Sequence, residues 1–259
     1  TGAGATTANY AIDTKEPTIT ITATDGDANQ SISDGDTVAH PTFILTFTTS
    51  EATSDFTVND ITVTNGTLSN FASTSTTVYT ATFTPASDGA ITINVAADTF
   101  NDGSGNGNIV SDEFNITWDS TSPTISSVSV ASDNSTITVT WSELVYGSDP
   151  PSPMTSALTA SDFTLSISGG TATLSSATPS SISINGVNIT LGLSLSGTPD
   201  GSEVVTVNPS GADTIYDNPG NAAGANQSSN NTVTLNDQLA PSVSSFTMSD
   251  TSLIVGETA

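Results

Sequence analysis

Three observations predict an all-β chain of tandem two-sheet sandwiches: period-two alternation, turn dipeptides at strand-length intervals, and a junction motif recurring at module-sized spacing. The alternation is plain in Thr18-Ile-Thr-Ile-Thr22, Thr42–Phe47, Phe56–Val58, Ile61–Val63, Val78–Phe83 and Ala90–Val95. Apolar β-branched and aromatic residues take every second position and threonine holds many of the others, so each strand buries one face and wets the other. A second set follows in Thr124–Val130, Thr136–Trp141, Phe163–Ile167, Thr171–Leu174, Val187–Leu193 and Val204–Val207. Turn signals fall between them at Asn65-Gly66, Ser87-Asp-Gly89, Gly169-Gly170, Asn185-Gly186 and Pro199-Asp-Gly201. No amphipathic helical stretch interrupts the pattern, and about seven short strands per module is the count that a two-sheet sandwich needs.

The junction motif sets the modules. Asp13-Thr-Lys-Glu-Pro17 returns as Asp119-Ser-Thr-Ser-Pro123, 106 residues on, and as Asp237-Gln-Leu-Ala-Pro241 after a further 118. A period this long marks whole domains rather than solenoid units. Strand-like segments precede each Asp (Asn9–Ile12, Glu113–Trp118, Asn231–Asn236) and follow each Pro, which cannot donate a ladder hydrogen bond and so marks the passage between sheets. The sequence therefore predicts a last strand and linker of a preceding module over 1–16, full modules over 17–119 and 120–238, and the first strands of a further module over 239–259.

Charge narrows the function. The 259 residues carry 26 acids against Lys15 alone and no arginine, a formal net charge of −25. That surface repels nucleic acid and anionic membrane alike. There is no cysteine, hence no disulfide and no thiolate chemistry. No apolar run of about 18 residues predicts a membrane helix, and the first residues lack a signal peptide's basic and apolar regions. The composition reads as an extracellular, internal piece of a longer polypeptide.

In combination, several runs resemble the bacterial Ig-like domains that recur in tandem in large secreted adhesins and biofilm proteins. In the first module these are Phe47-Thr-Thr-Ser-Glu51, Asp55-Phe-Thr-Val-Asn-Asp60, Asn65-Gly-Thr-Leu68, Tyr79–Pro85, Asp88-Gly89 and Asp102-Gly-Ser-Gly-Asn106. The second keeps Trp141-Ser-Glu143, Ser161-Asp-Phe163, Pro199-Asp-Gly201 and Asp217-Asn-Pro-Gly-Asn221, and departs by a Pro- and Ser-rich insertion around 146–157. The resemblance implies immunoglobulin-like Greek-key β-sandwiches in an elongated, beads-on-a-string arrangement at the cell surface, with neighbouring modules of the same or identical chains as partners.

Oxygen-rich loops are the chemistry that the sequence supports best, because calcium takes six to eight oxygen ligands and tolerates irregular loops. In an Ig-like topology the linker (Asp13, Glu16), the B–C loop (Glu51, Asp55) and the F–G loop (Asp98, Asp102) converge on one end of the first module. Their counterparts in the second are Asp119, Glu143, Asp213 and Asp217. Resemblance to calcium-bridged adhesin repeats implies the same placement. A further acidic stretch, Asp25, Asp27, Asp34 and Asp36, lies in the A–B loop; it echoes an EF-hand but lacks the glutamate at position twelve and the flanking helices. A solvated, salt-adapted surface explains the same acids without a metal.

Catalysis finds little to work with. The single His40 precedes Pro41 at a strand entrance, and Trp118 and Trp141 sit in strands as packing residues. Lys15, in a linker, gives neither full module an amine for a lysine–asparagine crosslink. Two functional classes fit: a calcium-stiffened extender of a surface adhesin, or a self-assembling subunit of a filament, sheath or surface layer joined by strand donation into a homopolymer. A carbohydrate-binding module is a weaker third, which an exposed aromatic row would favour.

Overall fold

The alternation becomes strands as the sequence predicts, and the computed structural model describes residues 12–26, 30–147 and 155–247. The first nine strands are β1 (Ile19–Asp25), β2 (Ser31–Ile32), β3 (Thr37–Val38), β4 (Phe43–Thr49), β5 (Ile61–Val63), β6 (Gly66–Ser73), β7 (Val78–Pro85), β8 (Gly89–Val95) and β9 (Phe114–Trp118). They form two sheets, β2-β1-β4-β7-β6 and β3-β9-β8-β5. All pairings are antiparallel except β3 with β9, which run parallel.

One core joins these sheets. Phe43, Leu45 and Phe47 of β4 and Tyr79, Ala81 and Phe83 of β7 point into it from one side, and Ile91, Ile93, Phe114 and Ile116 from the other. Phe43 stacks on Phe83 at 4.9 Å, while Phe56 sits edge-on to Tyr79 at 5.0 Å and to Phe100 at 5.2 Å. Most of the aromatic rings are thereby spent on packing, where each buries a large apolar area in a fixed geometry.

The later strands are β10 (Ile125–Val130), β11 (Thr136–Trp141), β12 (Tyr146–Gly147), β13 (Phe163–Ser168), β14 (Thr173–Leu174), β15 (Ile182–Asn185), β16 (Asn188–Gly192), β17 (Leu195–Ser196), β18 (Val204–Pro209), β19 (Ile215–Tyr216) and β20 (Thr232–Thr234). They pair as β10-β11-β16-β15, β13-β18-β20, β14-β17 and β12-β19. By packing, the chain falls into two compact units. The first takes its described residues from Thr1–Thr124, Ser142–Leu158 and Gly211–Ala225, the second from Ile125–Trp141, Thr159–Ser210 and Asn226–Ala259. Two segments that follow Asp119 in the sequence, those carrying the paired strands β12 and β19, thus group with the first unit. The second unit's core is Ile125, Ile137, Val139, Trp141, Phe163, Leu165, Ile189, Leu191, Val205 and Val207, all buried.

Several local features differ from the sequence reading, which also did not predict the two-residue strands β2, β3, β12, β17 and β19. The predicted strand at Phe56–Val58 is absent; Phe56 is buried in a loop and Val58–Asp60 forms a 3-10 turn. Asp60 accepts hydrogen bonds from the Thr57 amide at 2.6 Å and its hydroxyl at 3.0 Å, which closes that turn, and Thr159 with Asp162 repeats the device before Phe163. Such a local side-chain bond offers the backbone an alternative to the ladder. Strands β6 and β15 were not legible, since both are edges with mostly exposed residues and hence no enforced alternation. The strand predicted at Thr171–Leu174 shortens to two residues. Residues 239–247 carry no strand, and the rest of the predicted further module, like most of the predicted strand before Asp13, lies outside the described residues.

Glu203 explains that shortening. Its carboxylate is fully buried and accepts the amides of Thr171 and Ala172, both at 2.9 Å, with those of Asp200 and Gly201 at 3.0 and 3.1 Å. A Cβ on Gly170 would overlap it, so the Gly169-Gly170 turn wraps this carboxylate instead of extending the strand. Burial alone would raise its pKa, but the backbone hydrogen bonds outweigh burial and hold it at about 2. A depressed acid stabilises the fold above its ordinary value of 4.5, and that contribution is lost as pH falls towards about 2. Glu203→Ala leaves four amides without an acceptor; thermal melts are expected to show a Tm lower by roughly 5–10 °C at neutral pH, with the gap closing in acid. An unchanged Tm would mean that water replaces the carboxylate without cost.

Candidate metal centre

Two clusters of carboxylates form among the described residues, Asp13 with Glu51 and Asp102, and Asp119 with Glu143 and Asp217. In each, one oxygen from every member lies within 4.8 Å of the others. All six residues group with the first compact unit.

The two are built alike. In the first, the loop after β8 turns back on Asp102, whose Oδ1 accepts the amides of Ser104 at 2.8 Å and Asn106 at 2.9 Å. The Asn106 carboxamide donates to Asp102 Oδ2 at 2.8 Å and reaches the Asp13 carbonyl at 3.4 Å. In the second, Asp217 Oδ1 accepts the amides of Gly220 at 2.8 Å and Asn221 at 2.6 Å. Asn221 donates to Asp217 Oδ2 at 2.8 Å and to the Asp119 carbonyl at 3.0 Å. Gly105 and Gly220 precede these asparagines with φ of +91° and +107°, a left-handed conformation that leaves glycine unstrained. Asp13 and Asp119 each accept the amide two residues on, from Lys15 and Thr121. The glutamates follow Ser50 and Ser142, whose hydroxyls accept the Thr18 and Thr124 amides. One recipe, Asp-x-x-x-Pro, Ser-Glu and Asp-x-x-Gly-Asn, is thus executed twice.

The electrostatics differ between copies. In the first, the Lys15 ammonium lies 2.9 Å from Glu51 Oε1. That hydrogen bond and charge raise the Lys15 pKa, and the Asn106 carboxamide leads the bonds that hold Asp102 below its ordinary value. In the second, no basic side chain takes part. Glu143 is raised by burial first and then by the charges of Asp217 and Asp119. Asp217, fully buried, is raised by burial, opposed by the Asn221 bonds and reinforced by Asp119. Like charges this close repel by on the order of a few kcal/mol in a partly screened site. The donor set is all hard oxygen, which suits an alkaline-earth cation rather than a thiolate- or imidazole-seeking metal. A divalent cation would offset the repulsion.

Other acids that the sequence singled out have different work. Asp55 accepts the Thr53 hydroxyl at 2.6 Å and the backbone and side chain of Asn101 at 3.1 and 3.0 Å, bonds that outweigh its burial and lower its pKa while bracing two loops. Asp98 sits at φ +60° against Gly107, and Glu16 and Asp213 are exposed outside both clusters. In the A–B loop, Asp34 accepts the Asn115 amide and Asp36 the Ser33 amide. Asp25, which the sequence reading placed in that loop, is instead the last residue of β1, paired with Phe43; it is buried, accepts the Gln30 amide and lies 3.9 Å from His40 Nε2. Asp27 lies outside the described residues. The sequence reading missed the clamps Asn106 and Asn221; the shared Asp-x-x-Gly-Asn spacing was the available signal.

Residues 13–118 match the family model for a bacterial Ig-like domain, which spans the first sandwich and its linker. No curated protein matches the chain. Among solved structures, the Yersinia pseudotuberculosis adhesin InvE is similar over 84% of this chain and 58% of its own, at 15% identity and a TM-score of 0.27. InvD of the same organism is similar over 90% and 62%, at 20% identity and a TM-score of 0.33. The chain therefore spans less than two thirds of either protein.

Because the raised pKa of Glu143 means that its ionised form strains the fold, stability falls as pH rises from the ordinary value of 4.5 through the folded one. Glu143→Gln removes that strain. In chelator at neutral pH the variant is expected to melt a few degrees above the wild type, and the two should coincide below pH 4.5. A variant less stable at neutral pH would show that the carboxylate is held favourably instead.

Proposed function

We propose that this chain is a non-catalytic stretch of a cell-surface adhesin or fibre, in which Ig-like sandwiches in series extend a distant binding end and calcium seated on the two carboxylate clusters stiffens the linkers. The duplication carries this reading: the same Asp, Glu and Asp with the same asparagine clamp occur twice, and the linker acid of each set, Asp13 or Asp119, opens a copy of the junction motif. A cation on the first cluster fastens Asp13 of the linker to the loops after β4 and β8. On the second it fastens Asp119, just past β9, to the loops after β11 and β19. Linker residues held this way lose hinge freedom.

The setting fits as well. Extracellular modules bind calcium with dissociation constants of about 10⁻⁴–10⁻³ M, which suits three carboxylates at a partly exposed site. The family match over residues 13–118 is to a bacterial Ig-like domain, and most aromatic rings are buried rather than displayed in a row for sugar. Among the described residues no helix is long and apolar enough to cross a membrane.

The two sites are unequal, because calcium must displace the Lys15 ammonium at the first and meets Thr121 at the second. Calorimetric titration of the full chain is expected to show a tighter and a weaker site. Asp217→Asn abolishes the tighter one, and Lys15→Thr strengthens the weaker one several-fold. At ten times the dissociation constant each site adds about 1.4 kcal/mol, a rise in Tm of about 3–6 °C over chelator. Superimposable melts in calcium and chelator, with no heat of binding, would refute the calcium reading. Two sites of equal affinity, unmoved by Lys15→Thr, would refute only the role given to the lysine.

A further inference from the structure

We infer that Asn185 is a site of spontaneous deamidation, selected by the fold from three Asn-Gly steps of equal chemical promise. The steps are Asn65-Gly66, Asn106-Gly107 and Asn185-Gly186. The reaction needs the asparagine carboxamide to swing until its Cγ meets the next residue's amide nitrogen, and glycine leaves that nitrogen unshielded. Proximity and freedom to reach the attack geometry therefore set the rate.

Two of the three are tied down. The Asn65 carboxamide donates to the Ser87 carbonyl at 2.7 Å and accepts the Ser87 hydroxyl at 2.8 Å, and a Cβ on Gly66 would overlap Phe83, so this turn is packed. The Asn106 carboxamide is committed to Asp102 and Asp13, and Gly107 is bridged to Asn101 and packed on Asp98. Asn185 is different. It ends β15 at the exposed tip of the hairpin to β16, paired with Asn188 across a two-residue turn whose Gly186 has φ +60°, the position where such turns favour glycine. Neither its carboxamide nor the Gly186 amide has a hydrogen-bond partner among the described residues, and nothing lies within 4 Å of where a Gly186 Cβ would stand.

The Gly186 nitrogen, losing its proton to solvent base, attacks Asn185 Cγ. The N–Cγ bond forms, the Cγ–Nδ2 bond breaks, and ammonia departs to leave a cyclic imide. Water then adds to either imide carbonyl, giving aspartate or isoaspartate at 185. Both products add a negative charge to the hairpin tip, and isoaspartate also inserts a methylene into the backbone, which breaks the Asn185–Asn188 register. The exposed edge of the β10-β11-β16-β15 sheet thereby ages chemically while Asn106, which clamps a carboxylate cluster, is spared.

The full folded chain, incubated in mildly alkaline buffer and mapped by chymotryptic peptide mass spectrometry, tests this. Asn185 is expected to convert on the order of tenfold faster than Asn65 or Asn106, the factor that about 1.4 kcal/mol of hydrogen bonding lost on reaching the attack geometry corresponds to. In urea the three rates should converge, and Asn185→Gln should abolish the early acidic species on ion exchange. Equal rates at the three sites in the folded chain, or the same lead for Asn185 in urea, would overturn the inference.

Discussion

Carboxylates in this chain have almost no cations to pair with, and that scarcity shapes the loops. With one lysine, one histidine and no arginine against 26 acids, a buried or crowded carboxylate must be satisfied by amides and hydroxyls. Glu203 draws four backbone amides around itself, Asp55 ties the Thr53 and Asn101 loops together, and Asp88 holds Ser120 and Thr121 just beyond β9. Charge-assisted bonds of this kind are shorter and stronger than neutral ones. The abundance of Ser, Thr, Asn and Gly in the loops is the counterpart of the missing basic residues.

The two carboxylate clusters are where that strategy reaches its limit. Amides and the Asn106 or Asn221 carboxamide surround Asp102 or Asp217, and Asp13 or Asp119 takes one further amide, which leaves the glutamate of each cluster without an amide donor among the described residues. The first cluster recruits the chain's single lysine to Glu51. The second has no such neighbour, and burial first, with the crowding of like charges added to it, raises the pKa values of Glu143 and Asp217. The proposed cation answers that crowding, and most strongly where the lysine is absent.

The sandwich supplies the frame that makes such clusters possible. Register along β1, β4 and β7 is unbroken over at least six paired positions, so the loops at the strand ends stay fixed relative to one another. A one-residue slip would turn Phe43, Leu45 and Phe47 to solvent, and the cost of that exposure is what holds the loop geometry.

The sequence by itself determined the all-β architecture, most strand positions and the repeat at Asp13 and Asp119, because alternation and proline punctuation are local properties of neighbouring residues. It also placed the acids in loops. Only the tertiary structure decided that Asp13, Glu51 and Asp102 meet while Glu16, Asp55 and Asp98 do not. Their separation along the chain is bridged by pairing of strands from two sheets, and side-chain direction at a loop depends on turns such as that before Asn106. Glu203 was equally out of reach: two of its four amide partners, Thr171 and Ala172, lie some thirty residues upstream, and an acid beside a Pro-Asp-Gly turn reads as exposed until the opposite turn folds over it. The edges β6 and β15 escaped for the complementary reason, since a strand with one neighbour and a wet face has no need to alternate.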